Sequence, residues 1–416
     1  MSTAAPTAMR RPSASAHAME RVVIGRTVAI GILAFAAIPP FPADTLGWGL
    51  VAFIALLSAL ARRSGLGQLR VSLPLLALVG WAGLSAFWSV DRTPTVTGVG
   101  LMCLAAAVGV LLAAGRGLND LLDVSAWACV LVLVGCWLAA FLAPHVAFSS
   151  DINDAGALRG LFVQKNALGY FCAFALVTFS CRLWAVSARR WFWFLAVLAT
   201  VATIARSWSG TSAVASTAVL TMACVLALVA RLRRPVGLVF SALIAGIFYA
   251  GLTLLRDPQV IIGAVGKDAT LTGRTEIWDV VIVAITERPW QGYGWAALWR
   301  PGSPTTEELW ARGGFAFYHS HNGYLDVAAQ LGIVGAALAF GALVYLLICA
   351  AHRHLRQPSA ANMWPVLLIA LVLIYNATEV VGFKNLTWVT LVAVAVTQQK
   401  GIVRNVSALR RGRAGS

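Results

Sequence analysis

The chain has 416 residues, of which 59% are hydrophobic and only 12% charged, and its formal net charge is +16. Soluble domains carry about 25% charged residues, so this composition excludes an ordinary soluble enzyme and indicates a protein that resides in a lipid bilayer. Most Lys and Arg residues fall in short stretches between apolar runs, and the charge asymmetry of membrane proteins explains that placement without a nucleic-acid partner.

Continuous apolar runs, each roughly long enough to cross a bilayer core, recur along the chain. Backbone groups in lipid must be hydrogen bonded internally, which leaves helices or closed barrels, and barrel strands would instead alternate in hydrophobicity. The pattern therefore predicts an all-α integral membrane protein with about twelve transmembrane helices. The runs are 22–38, 46–60, 73–88, 96–114, 124–143, 168–187, 191–205, 209–230, 235–255, 322–350, 364–381 and 385–399.

These runs divide the chain into five segments. They are a disordered cytoplasmic tail over 1–21, helices one to nine over 22–255, a periplasmic loop over 256–321, helices ten to twelve over 322–399 and a basic cytoplasmic tail over 400–416. Basic residues are concentrated in alternate connections, so the positive-inside rule places both termini in the cytoplasm. The seven cysteines lie in or beside apolar runs without a C-x-x-C pair, which is typical of small core residues rather than disulfides.

Among the cations in short connections on the predicted outer side are Arg159, Lys165 and Arg206. Each could simply extend towards lipid headgroups, but several together beside a large loop favour an anion site. Asn166 could cap the helix that follows it and leave backbone N–H groups free to bind phosphate. The hydroxyl-rich turn over 206–212 could cap the next helix and add Arg206 to the same site.

The periplasmic loop contains a predicted amphipathic helix. Thr272 or Gly273 can be its N-cap, and Glu276 then stands where the acid of a capping box belongs. The apolar residues that recur at helical spacing are Ile277, Trp278, Val281, Ile282 and Ile285. Arg274 lies in the first turn, where the helix dipole disfavours a cation. An anionic ligand held by both the guanidinium group and the helix N-terminus would explain that placement.

Two histidines, His319 and His321, precede the tenth apolar run, with Asn322 directly after them. A neutral histidine at the outer membrane face can act as a general base. A zinc pair and a purely structural role are the alternatives. Zinc needs three or four ligands, and no acidic or cysteine cluster is evident beside these histidines, so the sequence predicts neither a metal nor another cofactor.

These segments resemble the O-antigen ligase and polysaccharide polymerase family, a group of bacterial membrane glycosyltransferases. The similarity covers roughly residues 150–340: Arg-Gly-x-Phe-x-x-Lys-Asn-x-x-Gly from Arg159, the Ser-rich turn, Gly-Arg-x-x-x-Trp from Gly273, and Ser-His-Asn from Ser320. The segment Phe-Val-Gln-Lys-Asn-Ala-Leu-Gly, from Phe162 to Gly169, is similar to the exopolysaccharide-production branch of the family, whose members polymerise repeat units. Ligases of the family more often have Pro where Lys165 stands.

The resemblance implies a GT-C-like fold in the bacterial inner membrane and a metal-independent, inverting transfer on its periplasmic face. The donor would be a glycan on undecaprenyl diphosphate, the acceptor a growing polysaccharide or another glycan, and a chain-length regulator a further partner beside membrane lipid. By family position, His321 and Arg274 match the catalytic residues. Arg274 and Arg159 match the diphosphate-binding arginines.

Charge placement adds Lys165 and Arg206 to the predicted diphosphate site, and His319, Asn322 and Glu276 are predicted supporting residues. Two other functions remain open. The chain could be a ligase that transfers a lipid-linked glycan to lipid A-core, since ligase and polymerase activate the same donor. It could also be a polysaccharide transporter or flippase, although such proteins usually carry charges within their spans and have related halves.

Overall fold

The described part of the chain is helical, with an isolated antiparallel bridge between Phe148 and Leu158. This computed structural model describes residues 14–38, 44–62, 72–151, 154–185, 188–232, 273–383 and 385–414. The helices are α1 Ala14–Ala37, α2 Asp44–Arg62, α3 Leu73–Leu84, α4 Arg92–Ala113, α5 Leu118–Leu142, α6 Pro144–Ala147, α7 Lys165–Ala185, α8 Arg190–Ser207, α9 Gly210–Leu232, α10 Arg274–Glu287, α11 Pro304–Gly313, α12 Gly323–Arg356, α13 Ala360–Tyr375 and α14 Asn385–Ala414.

Every predicted run up to 209–230, and every run from 322–350 onwards, overlaps a helix, although α13 ends six residues before the run 364–381 does. The ninth run, 235–255, lies outside the described residues, as do the first part of the predicted periplasmic loop and residues 1–13 of the predicted tail. The prediction of a disordered tail over 1–21 is wrong for its last part, because α1 begins at Ala14. The Ala, Met and Glu residues there are strong helix formers.

Five helices in the described residues are long and apolar enough to cross a membrane: α4, α5, α7, Gly210–Ala227 of α9, and α12. Shorter apolar helices lie in Val23–Ala37, Leu46–Leu60, Leu73–Phe87 and Ala360–Tyr375. The chain is therefore an all-helical, multi-pass membrane protein. Large apolar side chains such as Phe87, Phe141 and Trp191 are exposed on the helix surfaces, as expected where the surrounding solvent is lipid.

Helices α7 and α13 form the centre of the helix assembly. In the most apolar stretch of α7, 67% of the residues are buried, against 33% in α4, and α7 packs against α5, α8, α9 and α13. Almost every residue of α13 is buried. Side chains at the ends of α7 and α13 therefore meet inside the protein, and the candidate site is built at one such end.

The described part of the 256–321 loop packs against α12 through α10. Ile277, Trp278 and Val281 are buried, as predicted, but Ile282 is 48% exposed. That part of the amphipathic prediction is wrong, because five residues of helix rotate Ile282 about 140° away from Ile277. Val280 and Ala284 complete the buried face instead.

Helix α12 is broken at Gly332, whose φ of 69° and ψ of −178° lie in a region that only glycine adopts readily. The break leaves backbone groups of α12 without helical partners, and the loop segment 289–294 binds them. Tyr293 N–H donates to the Ala329 carbonyl at 3.0 Å, Gly294 N–H to the Gln330 carbonyl at 2.8 Å, and Ile333 N–H to the Pro289 carbonyl at 2.7 Å. This segment is thereby fixed to a membrane helix.

Candidate active site

A buried carboxylate, Glu379, lies in the turn between α13 and α14 and is only 7% exposed. The Arg274 guanidinium group, at the start of α10, forms an ion pair with it, with 2.7 Å between Nη2 and Oε1. Arg274 Nη1 also donates to the Thr378 carbonyl at 2.8 Å. The same turn holds the start of α12, because Gly323 N–H donates to the carbonyls of Asn376 and Glu379 at 2.8 and 3.1 Å.

His321 approaches the other oxygen of this carboxylate. Its Nδ1 lies 3.4 Å from Glu379 Oε2, and 26% of its side chain is exposed. Because Nδ1 faces the carboxylate, Nε2, on the opposite side of the imidazole, is the nitrogen that can meet a substrate. His319 packs beside it, with 3.9 Å between the ring centroids, and His319 Nδ1 accepts the His321 N–H at 3.2 Å.

The backbone of His321 has a φ of 51°, a left-handed conformation that is uncommon for a residue other than glycine. Its neighbours hold it there. Ser320 Oγ donates to the Asn322 carbonyl at 2.6 Å, and Trp278 Nε1 donates to the Ser320 carbonyl at 2.9 Å. Backbone strain that the surroundings enforce is often found at functional sites.

Glu379 is ionised at neutral pH. Burial by itself raises the pKa of a carboxyl group, but the contact with His321 and the positive charge of Arg274 outweigh burial and hold the pKa of Glu379 below its ordinary value. One ionised carboxylate therefore lies 3.4 Å from His321 Nδ1 and is also the counterion of Arg274.

The spacing Arg-x-x-x-Trp in α10 has a structural reason. Arg274 and Trp278 are four residues apart and lie on the same helix face, where Arg274 contacts the 378–379 turn and Trp278 contacts the turn before α12. One helix face thus brings together two turns that belong to different parts of the chain.

Two predicted supporting residues have local partners. Asn322 is the N-cap of α12: its Oδ1 accepts the N–H groups of Tyr324 and Leu325 at 3.0 and 3.2 Å, so it positions the helix that follows His321. Gly273 is the N-cap of α10, as predicted. Glu276 is exposed, and its carboxylate accepts a hydrogen bond from Thr275 Oγ1 at 3.0 Å.

The other predicted cations lie on a neighbouring segment. Arg159 Nε donates to the Val146 carbonyl at 2.9 Å, and Arg206 Nη1 donates to the Gly156 carbonyl at 3.1 Å. Carbonyl groups orient these two guanidinium groups without neutralising them. Lys165 differs, because it forms an ion pair with Asp154 and its charge is largely compensated.

Asn166 joins that segment to the carboxylate. The prediction that it caps α7 is wrong, because the helix already begins at Lys165. Its side chain instead reaches into the site, where Nδ2 donates to Glu379 Oε1 at 2.8 Å. The structure thus brings together Arg274, His319, His321 and Asn166 around Glu379.

The sequence prediction missed Glu379, because it was counted inside the apolar run 364–381. Helix α13 ends at Tyr375, so Glu379 lies in the turn beyond it. An acidic residue within an apparent membrane span is by itself an indication of function, and that indication would have identified it.

The premise that no acidic side chain joins the two histidines is also wrong. His319, His321 and Glu379 offer three ligand atoms within 4.8 Å of one another. However, Arg274 and Asn166 both donate to Glu379 Oε1, and a guanidinium group at this distance opposes a second cation. The arrangement therefore favours proton transfer at His321 over metal binding, and the absence of a metal stays a prediction.

Comparison with known proteins agrees with the family that the motifs resemble. Residues 195–340 match the family model described as O-Antigen ligase. That range includes Arg206, Arg274, His319 and His321, whereas Glu379 lies beyond it. The chain is also similar to the exopolysaccharide production protein ExoQ of Rhizobium meliloti (strain 1021), with 28% identity over 195 residues.

That alignment covers 44% of this chain and 45% of the relative, so the chain spans less than half the length of the curated relative that it matches. Both similarities confirm the predicted resemblance to the O-antigen ligase and exopolysaccharide-production family.

Proposed function

We propose that this O-antigen-ligase-like membrane protein polymerises oligosaccharide repeat units, carried on undecaprenyl diphosphate, into exopolysaccharide. The observation that supports the proposal most directly is the shared carboxylate, since Glu379 contacts both Arg274 and His321. A base for an acceptor hydroxyl and a cation for a diphosphate leaving group are the two elements that glycosyl transfer from such a donor requires.

In the proposed reaction, an acceptor sugar hydroxyl donates to His321 Nε2, and its oxygen attacks the anomeric carbon from the face opposite the diphosphate. The new glycosidic C–O bond forms as the bond to the diphosphate oxygen breaks, which inverts the anomeric centre. The proton moves to His321, and Glu379 stabilises the resulting imidazolium through Nδ1. No metal takes part.

The electron pair of the broken bond stays on undecaprenyl diphosphate, where cations stabilise it. A guanidinium group has five N–H donors, so Arg274 can bind a phosphate oxygen while it keeps its bonds to Glu379 and Thr378. Arg159 and Arg206 can add charge from the neighbouring segment. Lys165 can do so only if it releases Asp154.

The proposal includes the finer architecture. About twelve spans in a GT-C-like arrangement would lie in the bacterial inner membrane, with both termini cytoplasmic and the 256–321 loop periplasmic. The acceptor would be the growing polysaccharide, and a chain-length regulator would be a further partner.

The test is complementation of a deletion strain, with the polysaccharide profile as the readout. Wild type should restore polymer, whereas His321→Ala should leave single repeat units on lipid because the acceptor hydroxyl lacks its base. His352→Ala is the matched control, since His352 is an exposed histidine at the far end of the same helix, α12, and it should restore polymer.

Two outcomes would contradict the proposal. If the His321→Ala strain forms polymer, His321 is not the base for the acceptor hydroxyl. Long chains that accumulate on undecaprenyl diphosphate in the deletion strain would identify the protein as a ligase, the activity that the matched family's description names.

A further inference from the structure

Three buried hydroxyl groups near the start of α9 form a hydrogen-bonded chain that ends on the Asn166 side chain. Ser209 Oγ donates to Asn166 Oδ1 at 3.1 Å and lies 2.7 Å from Ser212 Oγ. Ser212 Oγ lies 2.6 Å from the Tyr375 hydroxyl. Each hydroxyl has one proton to donate, so a chain from Tyr375 through Ser212 and Ser209 to Asn166 Oδ1 uses all three protons, and the Tyr375 oxygen lies 3.3 Å from the Asn166 carbonyl oxygen. Ser209, Ser212 and Tyr375 are buried, and together they are called the hydroxyl cluster below.

The hydroxyl cluster determines which way the Asn166 amide points. The oxygen and nitrogen of an asparagine amide have nearly the same shape, so their hydrogen-bond partners decide their orientation. Because Ser209 donates to Oδ1, Nδ2 faces Glu379 and donates to Oε1 at 2.8 Å. The reversed amide would place two oxygens against each other.

The packing between α7 and the hydroxyl cluster is close at Gly169. Gly169 lies in α7, three residues after Asn166 and on the same face of the helix. A Cβ atom at this position would lie 2.9 Å from Ser209 Oγ and would also collide with Ser212. The close approach of α7 to the start of α9 therefore depends on glycine.

We propose that Asn166 is a positioning residue of the transfer reaction, and that the hydroxyl cluster orients its amide so that Glu379 Oε1 is held towards Arg274 while Oε2 faces His321. This inference rests on the proposed glycosyl transfer. It links the Ser-rich turn to the Lys165–Asn166 motif, because the serines of the turn orient the Asn166 side chain.

The decisive variant is Asn166→Asp, which keeps the shape of the side chain. An ionised carboxylate cannot donate to Glu379, but a protonated carboxyl group can. The groups that face this position are Glu379, Arg274, His319, His321 and Tyr375. Turnover of Asn166→Asp should therefore be low at neutral pH and should rise relative to wild type as the pH falls.

The assay uses membranes that contain the full chain, with lipid-linked oligosaccharide extracted from the deletion strain as the donor. Asn166→Ala should lower turnover roughly 10- to 100-fold, the effect of losing one hydrogen bond to a charged group, at an unchanged amount of protein. Ser209→Ala and Tyr375→Phe should lower turnover in the same direction.

Ser216→Ala is the matched control. Ser216 is a buried serine of α9, and its hydroxyl has no hydrogen-bond partner among the described residues. Its removal should leave turnover unchanged.

Wild-type turnover in Asn166→Ala, or a pH profile of Asn166→Asp parallel to that of wild type, would overturn the positioning role. If Asn166→Ala fails to accumulate, the pH profile of Asn166→Asp alone decides. A wild-type protein that forms no polymer from the extracted donor would contradict the proposed function itself, which distinguishes the two failures.

Discussion

Glu379 is a buried charge that three side chains reach: Arg274, His321 and Asn166. Burying a carboxylate is expensive, and leaving it without its partners destabilises a protein by about 3–5 kcal/mol. At the residue scale, the pairing therefore couples stability to function, because the groups that compensate the buried charge are the groups assigned to the chemistry.

Arg274→Lys tests the guanidinium group without leaving Glu379 unpaired. An ammonium group keeps the charge but cannot bind Thr378, Glu379 and a phosphate in the planar geometry of arginine. The loss of one such donor typically costs about 2.7–4 kcal/mol of transition-state stabilisation, so polymerisation should fall steeply, with Arg274→Ala lower still. Arg300→Lys, an exposed arginine of the same loop, should have wild-type activity in the same membrane assay. Full activity of Arg274→Lys would show that the planar geometry of a guanidinium group is not needed at this position.

Glu379→Gln tests the charge at nearly constant shape. The amide can still accept a bond from Arg274, but it no longer compensates the guanidinium charge or an imidazolium at His321. We expect a lower melting temperature in detergent and a large loss of turnover. Folding lowers the pKa of Glu379. The contribution of its carboxylate to the free energy of unfolding is therefore complete above the ordinary pKa of about 4.3, and it is lost as the pH falls through the lower pKa of the folded state. Unchanged turnover in Glu379→Gln would contradict the assignment.

At the scale of elements, α10 links the site. Its first turn carries Arg274 to the turn after α13, and Trp278 fixes the turn before α12. The position of His321 therefore depends on α10, which holds the preceding residue through the Ser320 carbonyl.

Trp278→Phe removes that link and keeps an aromatic side chain. The buried Ser320 carbonyl loses its donor, which costs about 1–3 kcal/mol, and the His321 turn loses its support. Trp81→Phe removes the same kind of bond, since Trp81 Nε1 donates to the Leu331 carbonyl at 2.9 Å. Thermal stability should fall in both variants, whereas polymerisation should fall only in Trp278→Phe. Equal polymerisation in the two variants would mean that α10 does not position His321.

The sequence predicted what depends on local pattern. Apolar runs predicted the helices, and a cation at a helix N-terminus and a histidine pair at a membrane face predicted Arg274, His319 and His321. Asn166 and Glu379 are 213 residues apart in the chain, and their contact exists only because α7 packs against α13. An acidic residue within an apparent span could have identified Glu379, but no pattern of a single sequence encodes its contact with Asn166.

At the scale of the whole molecule, α7 separates two polar layers. Asn166 lies at one of its ends, and at the other Arg182 pairs with Asp123 at 2.6 Å, which Arg26 also contacts. The 21 residues of α7 extend about 30 Å, which matches the hydrocarbon core of a bilayer. We therefore expect the Glu379 site and the Asp123 ion pairs to lie at opposite membrane faces.

The positive-inside rule assigns the faces, and reporter fusions test the assignment. Alkaline phosphatase, which is active only outside the cytoplasm, should be active when fused after Gly302 in the loop and inactive when fused after Gln357, next to the basic end of α12. The reverse pattern would invert the topology and place the proposed site in the cytoplasm.

The break at Gly332 also limits how the site can move. Segments that unfold locally exchange their amide protons quickly, whereas segments bonded to a core exchange them only when the core opens. The amide protons of Tyr293, Gly294 and Ile333 bridge the loop and α12, so residues 289–294 belong to the same cooperative unit as a membrane helix. We therefore expect this part of the loop not to move aside as a lid, and in the proposed polymerase the growing glycan would pass along a fixed surface.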